Sequence, residues 1–359
     1  MFFSPAFWKN KKVVVTGHTG FKGAWCIQLL GHLGAKTYGL SVSRKEDNLV
    51  YQDMNVQKMI ADEAIGDICD REFVKSFLTK HQPHYIIHMA AQSLVKKSYF
   101  DPLETFRTNI LGTATLLDVG TNLENVSKII CVTSDKCYLN EDQIGDFIES
   151  DRLGGHDPYS SSKAGAEIVA KSMFDSYFRQ TDIDVFTVRA GNVIGGGDAS
   201  ENRLMTDIIR SIENKSNIKL RYPNATRPWQ HVLEPLGAYL HLIENFDHLP
   251  GANFDSYNIG PTVDKNRTVL ELVKKTLSFS NSRCSVSVDE KPNEHEAQTL
   301  SLDITKLLSE TSWREAWSFD ETVKATVDWY REYASGASAF ELCTRDIVDY
   351  LEKLGTKNV

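Results

Sequence analysis

Over the first half of the chain, short runs of β-branched and apolar residues alternate with longer stretches whose apolar positions recur every three or four residues. A compact apolar run marks a buried strand, and a 3.6-residue period marks a helix packed on one face. Val13-Val14-Val15 is the first such run; it ends at Thr16-Gly17, and a helical pattern from Phe21 to Leu33 follows. Lys36 to Val42 predicts a second strand, Gly66-Asp67-Ile68-Cys69-Asp70 a turn, and Arg71 to about Lys80 a helix. His84 to Met89 reads as the next buried strand, closed by Ala90-Ala91-Gln92. Phe106, Ile110, Thr113 and Leu117 form a helical stripe that leaves Asn109 to one side. Lys128 to Thr133 predicts a fifth strand and Val185 to Val188 a sixth; between them Tyr159 opens a helix striped by Val169, Ala170, Met173, Phe174, Tyr177 and Phe178.

Beyond Arg189 the alternation loosens. The glycine-rich run Gly191 to Asp198 suggests a mobile crossover into a second lobe, Asn258-Ile259-Gly260 ends a last strand, and the tail around Trp313, Trp317, Trp329 and Tyr330 reads as packed amphipathic helices. This succession predicts an α/β fold: a doubly wound parallel (Rossmann) sheet with a smaller mixed α/β C-terminal lobe. The expected division is a Rossmann domain of residues 1–190 plus about 228–262 and a lobe of residues 191–227 plus 263–359.

A length of 359 residues suits two lobes. The net charge of -8 excludes the basic excess of a nucleic-acid binder, so an anionic ligand must be held by local groups such as helix N-termini and single arginines. Cys26, Cys69, Cys131, Cys137, Cys284 and Cys343 form no C-x-x-C pair, which predicts reduced, mostly buried thiols in a cytosolic protein and no metal site. The apolar start, Met1 to Trp8, holds Pro5 and is too short for a signal-peptide core; Phe2, Phe3, Phe7 and Trp8 are expected to pack as an arm. No run approaches membrane-spanning length.

Candidate chemistry begins at Gly17-His18-Thr19-Gly20-Phe21-Lys22-Gly23, where glycines spaced by three and three lie between a strand and a helix, the context of a dinucleotide fingerprint. After the second strand a NAD site normally offers an acidic residue to the adenosine ribose. Here Ser41, Ser43 and Arg44 stand there, with Glu46 and Asp47 close behind, so NADP stays open beside NAD. Asp67 is placed to receive the adenine amino group or to cap a helix, although Asp70 fits the cap better. The small residues Ala90 and Ala91, ahead of Gln92, let a cofactor lie against the backbone. The fifth strand delivers Ser134, Asp135 and Lys136 to the carboxyl edge of the sheet, where open α/β folds bind ligands. Tyr159 and Lys163, four apart, share one helix face; the ammonium is expected to lower the phenol's pKa from ~10, so that the pair takes a proton from a hydroxyl. Arg203, Arg221, Arg227, His231, Arg267 and Arg283 are the lobe's notable cations, able as a set to grip a diphosphate.

With these residues in order, the chain resembles the extended short-chain dehydrogenase/reductase family from Val13 to about Trp329. Thr16 to Gly23, Ser134-Asp135-Lys136, Arg227-Pro228-Trp229-Gln230-His231-Val232 and Glu294-His295-Glu296-Ala297 look most like its nucleotide-sugar dehydratases, although a glutamate usually stands at the place of Lys136 in dTDP- and GDP-sugar relatives. The resemblance implies NAD bound by Gly17 to Gly23, Asp67, Ile68, Ala90, Ala91, Gln92, Asn109, Tyr159 and Lys163, with Arg44 bearing on the choice of NAD or NADP. It implies CDP-D-glucose as substrate, touched by Asn192, Arg203, Arg221, Arg227 and His231, while Arg189 serves the fold or the cofactor side. Tyr159 would take the C4 hydroxyl proton beside Ser134, Asp135 would protonate the departing C6 hydroxyl, and Lys136 would either remove the C5 proton or steady the enolate as a cation. A homodimer or homotetramer through a four-helix bundle of the Asn109 and Tyr159 helices, a cytoplasmic location and a place in O-antigen dideoxysugar synthesis are implied as well. Competing readings are a nucleotide-sugar 4-epimerase, a dehydratase of a dTDP- or GDP-sugar, an NADP-dependent reductase and a non-catalytic NAD-binding scaffold.

Overall fold

The structure, a computed structural model, describes residues 2–43, 49–141, 145–200, 202–245, 254–263, 265–289 and 299–356. Arg44, Glu46, Asp47 and the Glu294-His295-Glu296-Ala297 run lie outside these residues.

Seven strands form one sheet: β1 (Lys12–Thr16), β2 (Lys36–Ser41), β3 (Asp62–Ile65), β4 (Tyr85–His88), β5 (Lys128–Val132), β6 (Asp184–Ala190) and β7 (Phe254–Ile259). Their order is β7-β6-β5-β4-β1-β2-β3, and every pairing is parallel. The expected strands are all present. β3 is the one the pattern does not delimit, because Asp62-Glu63-Ala64-Ile65 is half polar and only partly buried.

Parallel strands are buried on both faces, and each residue's neighbours along the strand point opposite ways. Val14, Ile86 and Ile129 enter the layer with Val74, Leu78, Leu117 and Phe178. Val13, Val15, Ile87 and Ile130 enter the opposite layer with Trp25, Leu236, Trp317 and Trp329. The first layer is built by α2 (Arg71–His81), α3 (Gly112–Gly120) and α4 (Pro158–Met173), the second by α1 (Phe21–His32), α5 (Leu233–Asn245), α6 (Phe319–Ala334) and α7 (Ala339–Lys353). Asp70 caps α2 through the N–H groups of Glu72 and Phe73, as expected, and Ser318 with Glu321 forms a capping box on α6.

The N-terminal arm packs as the sequence predicts. Phe3 and Trp8 are fully buried, Phe2 stacks on His241 with ring centroids 4.6 Å apart, and the Trp8 indole donates to Glu244 at 2.9 Å. The backbone N–H of Phe3 donates to the Thr356 hydroxyl at 3.2 Å, so the arm meets the far end of the described chain.

One expectation is overturned. The run Gly191 to Asp198 is packed: only Asn192 and Val193 are more than marginally exposed, and Val193–Ile194 pairs in parallel with Gln230–His231. The Trp25 indole donates to the Gly196 carbonyl at 3.1 Å, and the Tyr330 hydroxyl to the Asp198 carbonyl at 2.8 Å. The glycine at 196 is a matter of space, since a Cβ there would lie 2.1 Å from the Trp329 ring. Gly196→Ala is therefore expected to lower stability by about 2 kcal/mol or more through overpacking, read as a fall in the urea midpoint.

Candidate active site

The order of strands reverses between β1 and β4, and a crevice opens there at the carboxyl edge of the sheet. Gly17 leaves β1 at φ 74°, a left-handed conformation, and a Cβ on it would sit 2.9 Å from the Ala90 nitrogen. A Cβ on Gly23 would sit 2.2 Å from the Gly17 carbonyl oxygen. The floor of the crevice is therefore bare backbone. Helix α1 starts behind Gly20, which supplies no side-chain cap, so the positive end of a twelve-residue helix meets the crevice. Both features suit the pyrophosphate of a dinucleotide. The Thr16 hydroxyl accepts from the backbone N–H groups of Met89 and Ala90 at 3.1 and 3.0 Å and bonds His88 at 2.8 Å, locking the two strand exits together. Burial first, and the Lys163 charge second, lower His88 to about 3, so it serves as a neutral ring.

The cavity, about 1710 Å³, runs from Ser41, Ser43, Asp67 and Ile68 at one end to Arg203, Arg221 and Arg227 at the other. Gly17, Thr19, Gly20, Phe21, Lys22, Gly23, Ala90, Ala91 and Gln92 line it. Thr19 donates to the Ser43 carbonyl at 2.7 Å and bonds the Ser41 hydroxyl at 2.7 Å, which ties the glycine loop to the end of β2. Asp67 accepts from the Cys69 N–H at 2.8 Å and pairs with Arg107.

Two residues expected at the cofactor face elsewhere. His18 is fully buried outside the cavity lining, bonded to Glu63 at 2.8 Å and packed edge-on to Tyr51; a Cβ on Gly39 would strike its ring. Asn109 is spent within the scaffold: its oxygen accepts from the Gln92 N–H at 2.8 Å, and its amide donates to the Gln92 carbonyl and the Ser162 hydroxyl at 3.0 and 2.8 Å. It holds the Gln92 loop against α4 and lies outside the cavity lining.

Ser134, Asp135, Lys136, Tyr159 and Lys163 all line the cavity. Asp157 caps α4 by accepting from the Ser160 N–H at 3.0 Å, and Pro158 opens the helix, which presents Tyr159 to Ser134. The Ser134 hydroxyl, beside the Tyr159 phenol on the cavity wall, donates to the Asp135 carboxylate at 3.0 Å. The other Asp135 oxygen is buried with no hydrogen-bond partner, and the Lys136 ammonium stands 3.6 Å from the carboxylate, beyond hydrogen-bond length. The expected lowering of the phenol is reversed: burial pushes Tyr159 up to about 12 against the opposing influence of the Ser134 hydroxyl. Lys163 donates to the Val132 carbonyl at 3.2 Å, and burial lowers it to about 8 while the Glu167 charge opposes that fall.

At the far end, Asn192, Arg203, Arg221 and Arg227 line the cavity, and Arg203 pairs with Asp198 at 3.4 Å. His231 does not line it. Its ring is fully buried between Trp25 and Trp317, burial lowers it to about 3, and it belongs to the core. Arg267 pairs with Glu271 at 3.0 Å, and neither it nor Arg283 lines the cavity. The pattern gives no warning of Asp198, one carboxylate at the end of a glycine run, or of the place taken by Lys22. The Lys22 ammonium reaches the Tyr239 hydroxyl at 3.3 Å, and burial, then the charges of Arg203 and Lys163, lower it to about 7.

A family model described as GDP-mannose 4,6-dehydratase matches residues 14–326. The chain is 37% identical to a CDP-glucose 4,6-dehydratase of Salmonella typhimurium over 351 residues, 96% of this chain and 97% of that protein. Among solved structures it is similar in fold to a UDP-glucose 4-epimerase of Thermotoga maritima (TM-score 0.79, 22% identity, 90% of this chain and 99% of that one). It is likewise similar to a dTDP-glucose 4,6-dehydratase of Streptomyces venezuelae solved with NAD bound (TM-score 0.77, 24% identity, 92% and 99%).

A buried lysine with a lowered pKa gives a signed prediction. Between about 8 and 10.5 the unfolded chain holds a proton on Lys163 that the native chain has released, so stability rises with pH across that window. Lys163→Met removes this contribution, and its rise in urea midpoint stability over the same window should be smaller by up to about 3 kcal/mol.

Proposed function

This chain belongs to the GDP-mannose 4,6-dehydratase family, and on that premise we propose that it converts CDP-D-glucose to CDP-4-dehydro-6-deoxy-D-glucose and water with NAD as its cofactor. The carrying observation is the Ser134-Asp135-Lys136 cluster beside Tyr159 at the carboxyl edge of the sheet. A 4-epimerase needs the Tyr159 and Lys163 pair but no acid and base for C5 and C6. Likeness to a CDP-glucose enzyme over nearly the whole of both chains supports the cytidine nucleotide.

Gly17, Gly20, Gly23 and Ala90 to Gln92 would hold NAD in the crevice, where it would supply an acceptor for the C4 hydride and a donor of that hydride to C6, with no net consumption. Tyr159 draws the proton from the C4 hydroxyl, and Lys163, one turn along, supplies the nearby positive charge that a phenol raised to about 12 needs. The new C4 ketone acidifies C5; Lys136 removes that proton as Asp135 gives its own to the departing C6 hydroxyl. Lys136 then reprotonates C5. Ser134, which donates to Asp135 and lines the cavity beside Tyr159, offers the path by which the proton collected at O4 restores Asp135, which closes the proton balance. The loose 3.6 Å contact of Lys136 with Asp135 leaves the amine able to move toward C5. We assign Gly17 to Gly23 (His18 excepted), Asp67, Ile68 and Ala90 to Gln92 to the NAD side, and Asn192, Arg203, Arg221 and Arg227 to the nucleotide sugar.

The proposal extends to a homodimer or homotetramer. Leu103 (80% exposed), Leu111, Ile168 and Tyr177 leave apolar residues exposed on the Asn109 and Tyr159 helices, with Phe100 (88%) on the short helix just before them, suited to a four-helix bundle with a second copy. Free cysteines, and the lack of any membrane-crossing helix among the described residues, suit a cytoplasmic enzyme of O-antigen sugar synthesis.

Mass spectrometry of CDP-glucose turned over with catalytic NAD in deuterated water tests the reading, with dTDP- and GDP-glucose alongside. Loss of one water with deuterium at C5, for the CDP sugar, is expected; an unchanged mass with a C4 epimer would replace the dehydratase by an epimerase. Tyr159→Phe should lower kcat roughly 100- to 10,000-fold. Lys136→Met should still reduce the cofactor, seen as absorbance near 340 nm characteristic of reduced nicotinamide, yet release no water; water loss at the native rate would remove Lys136 from the role of base.

A further inference from the structure

Glu167 lies one turn beyond Lys163 on α4, is 2% exposed and has no part in the mechanism above. Its carboxylate accepts three hydrogen bonds: one oxygen from the Thr133 hydroxyl, the other from the Thr187 hydroxyl and the Arg189 guanidinium, both at 2.7 Å. Thr133 follows β5 directly and precedes Ser134 and Asp135. Lys163 donates to the carbonyl of the residue before it, Val132, at 3.2 Å. Two neighbouring residues of α4 therefore hold two neighbouring residues of the strand exit. Arg189 continues inward, donating to the Tyr138 hydroxyl at 2.9 Å and the Glu149 carbonyl at 2.8 Å, and Tyr138 donates to Asn258 at 2.6 Å. A carboxylate this buried is tolerated because donors and a counter-charge surround it.

Among the described residues, the titratable groups around Lys163 are Tyr159 and Glu167 on its own helix, the phenol raised by burial to about 12 and so neutral, Cys131 from β5, Cys137 from the turn beyond β5, His88 from β4 and Lys22 from the glycine loop. Burial keeps both thiols protonated and His88 neutral, and Lys22 repels a charge on Lys163. Glu167 is thus the anion available to steady the ammonium.

We propose that Glu167 is a positioning residue of the active site: its buried carboxylate stands one turn from Lys163 as the counter-charge of that ammonium and clamps the Ser134-Asp135 strand exit to the helix that carries Tyr159 and Lys163. Arg189 neutralises the carboxylate toward the core. A Glu167 that only stapled strands together would, when changed, cost stability and leave the lysine's proton alone.

The proposal rests on the dehydratase reading for its kinetic arm alone. Competitive acetylation of the whole protein across pH, with mass spectrometry of the peptide holding Lys163, reads the lysine's titration whether or not any sugar nucleotide is turned over. In Glu167→Gln the midpoint should fall by about one pH unit or more, because the opposing anion is gone. The alkaline limb of kcat for CDP-glucose should move to lower pH by the same amount, since activity is lost as Lys163 gives up its proton, while KM stays within about threefold. Glu167→Asp should restore part of the shift. A folded Glu167→Gln with an unmoved midpoint overturns the proposal. If that variant does not fold, because it strands the Arg189 guanidinium, Glu167→Gln with Arg189→Met removes both charges and is read in the same way. A chain that titrates as expected yet makes no product from any sugar nucleotide would sink the dehydratase reading and leave the Glu167 assignment standing.

Discussion

The rest of the structure depends on the meeting of two strand exits, where β1 turns at Gly17 and the chain leaving β4 passes it at Ala90. With less than 3 Å between a notional Cβ and the opposing backbone nitrogen, neither strand can shift without the other. Thr16 makes the contact polar as well as close, since one hydroxyl accepts from two backbone donors and bonds a buried histidine. The crevice opens there because the strand order reverses there, and the start of α1 and the ends of β2 and β5 are aimed by the same junction.

The chemistry carried on that edge is governed by desolvation. Lys22, Lys163, Tyr159 and His88 are all pushed toward their neutral forms by burial, and the few buried anions have to hold what charge remains. The arrangement differs from a simple picture in which a lysine near a tyrosine lowers the phenol. Tyr159 lies against Ser134, Lys163 is drawn back onto the β5 carbonyl, and the two share a helix face without the cation dominating the phenol.

Much of this was legible in the sequence. The strand, glycine loop and helix at residues 13–33 have only one common structural meaning, and the parallel sheet follows from apolar runs separated by helical stripes. The family suggested by Ser134-Asp135-Lys136 and the Thr16 to Gly23 run is the family found. What failed did so for a common reason: motif position says which loop a residue is on but not which way it points. His18 and His231 both sit inside motifs and both turn into the interior, one toward Glu63 and the other between two tryptophans. Asn109 sits beside the cofactor loop, yet its amide is consumed by Gln92 and Ser162. The glycines of residues 191–197 signalled freedom by composition and serve packing in fact, because the Trp329 ring that needs the space is more than 130 residues away.

The contact between Phe3 and Thr356 has a topological consequence. With these positions hydrogen-bonded, and the arm buried against α5, the path from Phe3 to Thr356 closes into a loop whose seam lies on the tryptophan-rich layer rather than at the carboxyl edge, so the crevice sits on the side of the sheet edge away from that closure.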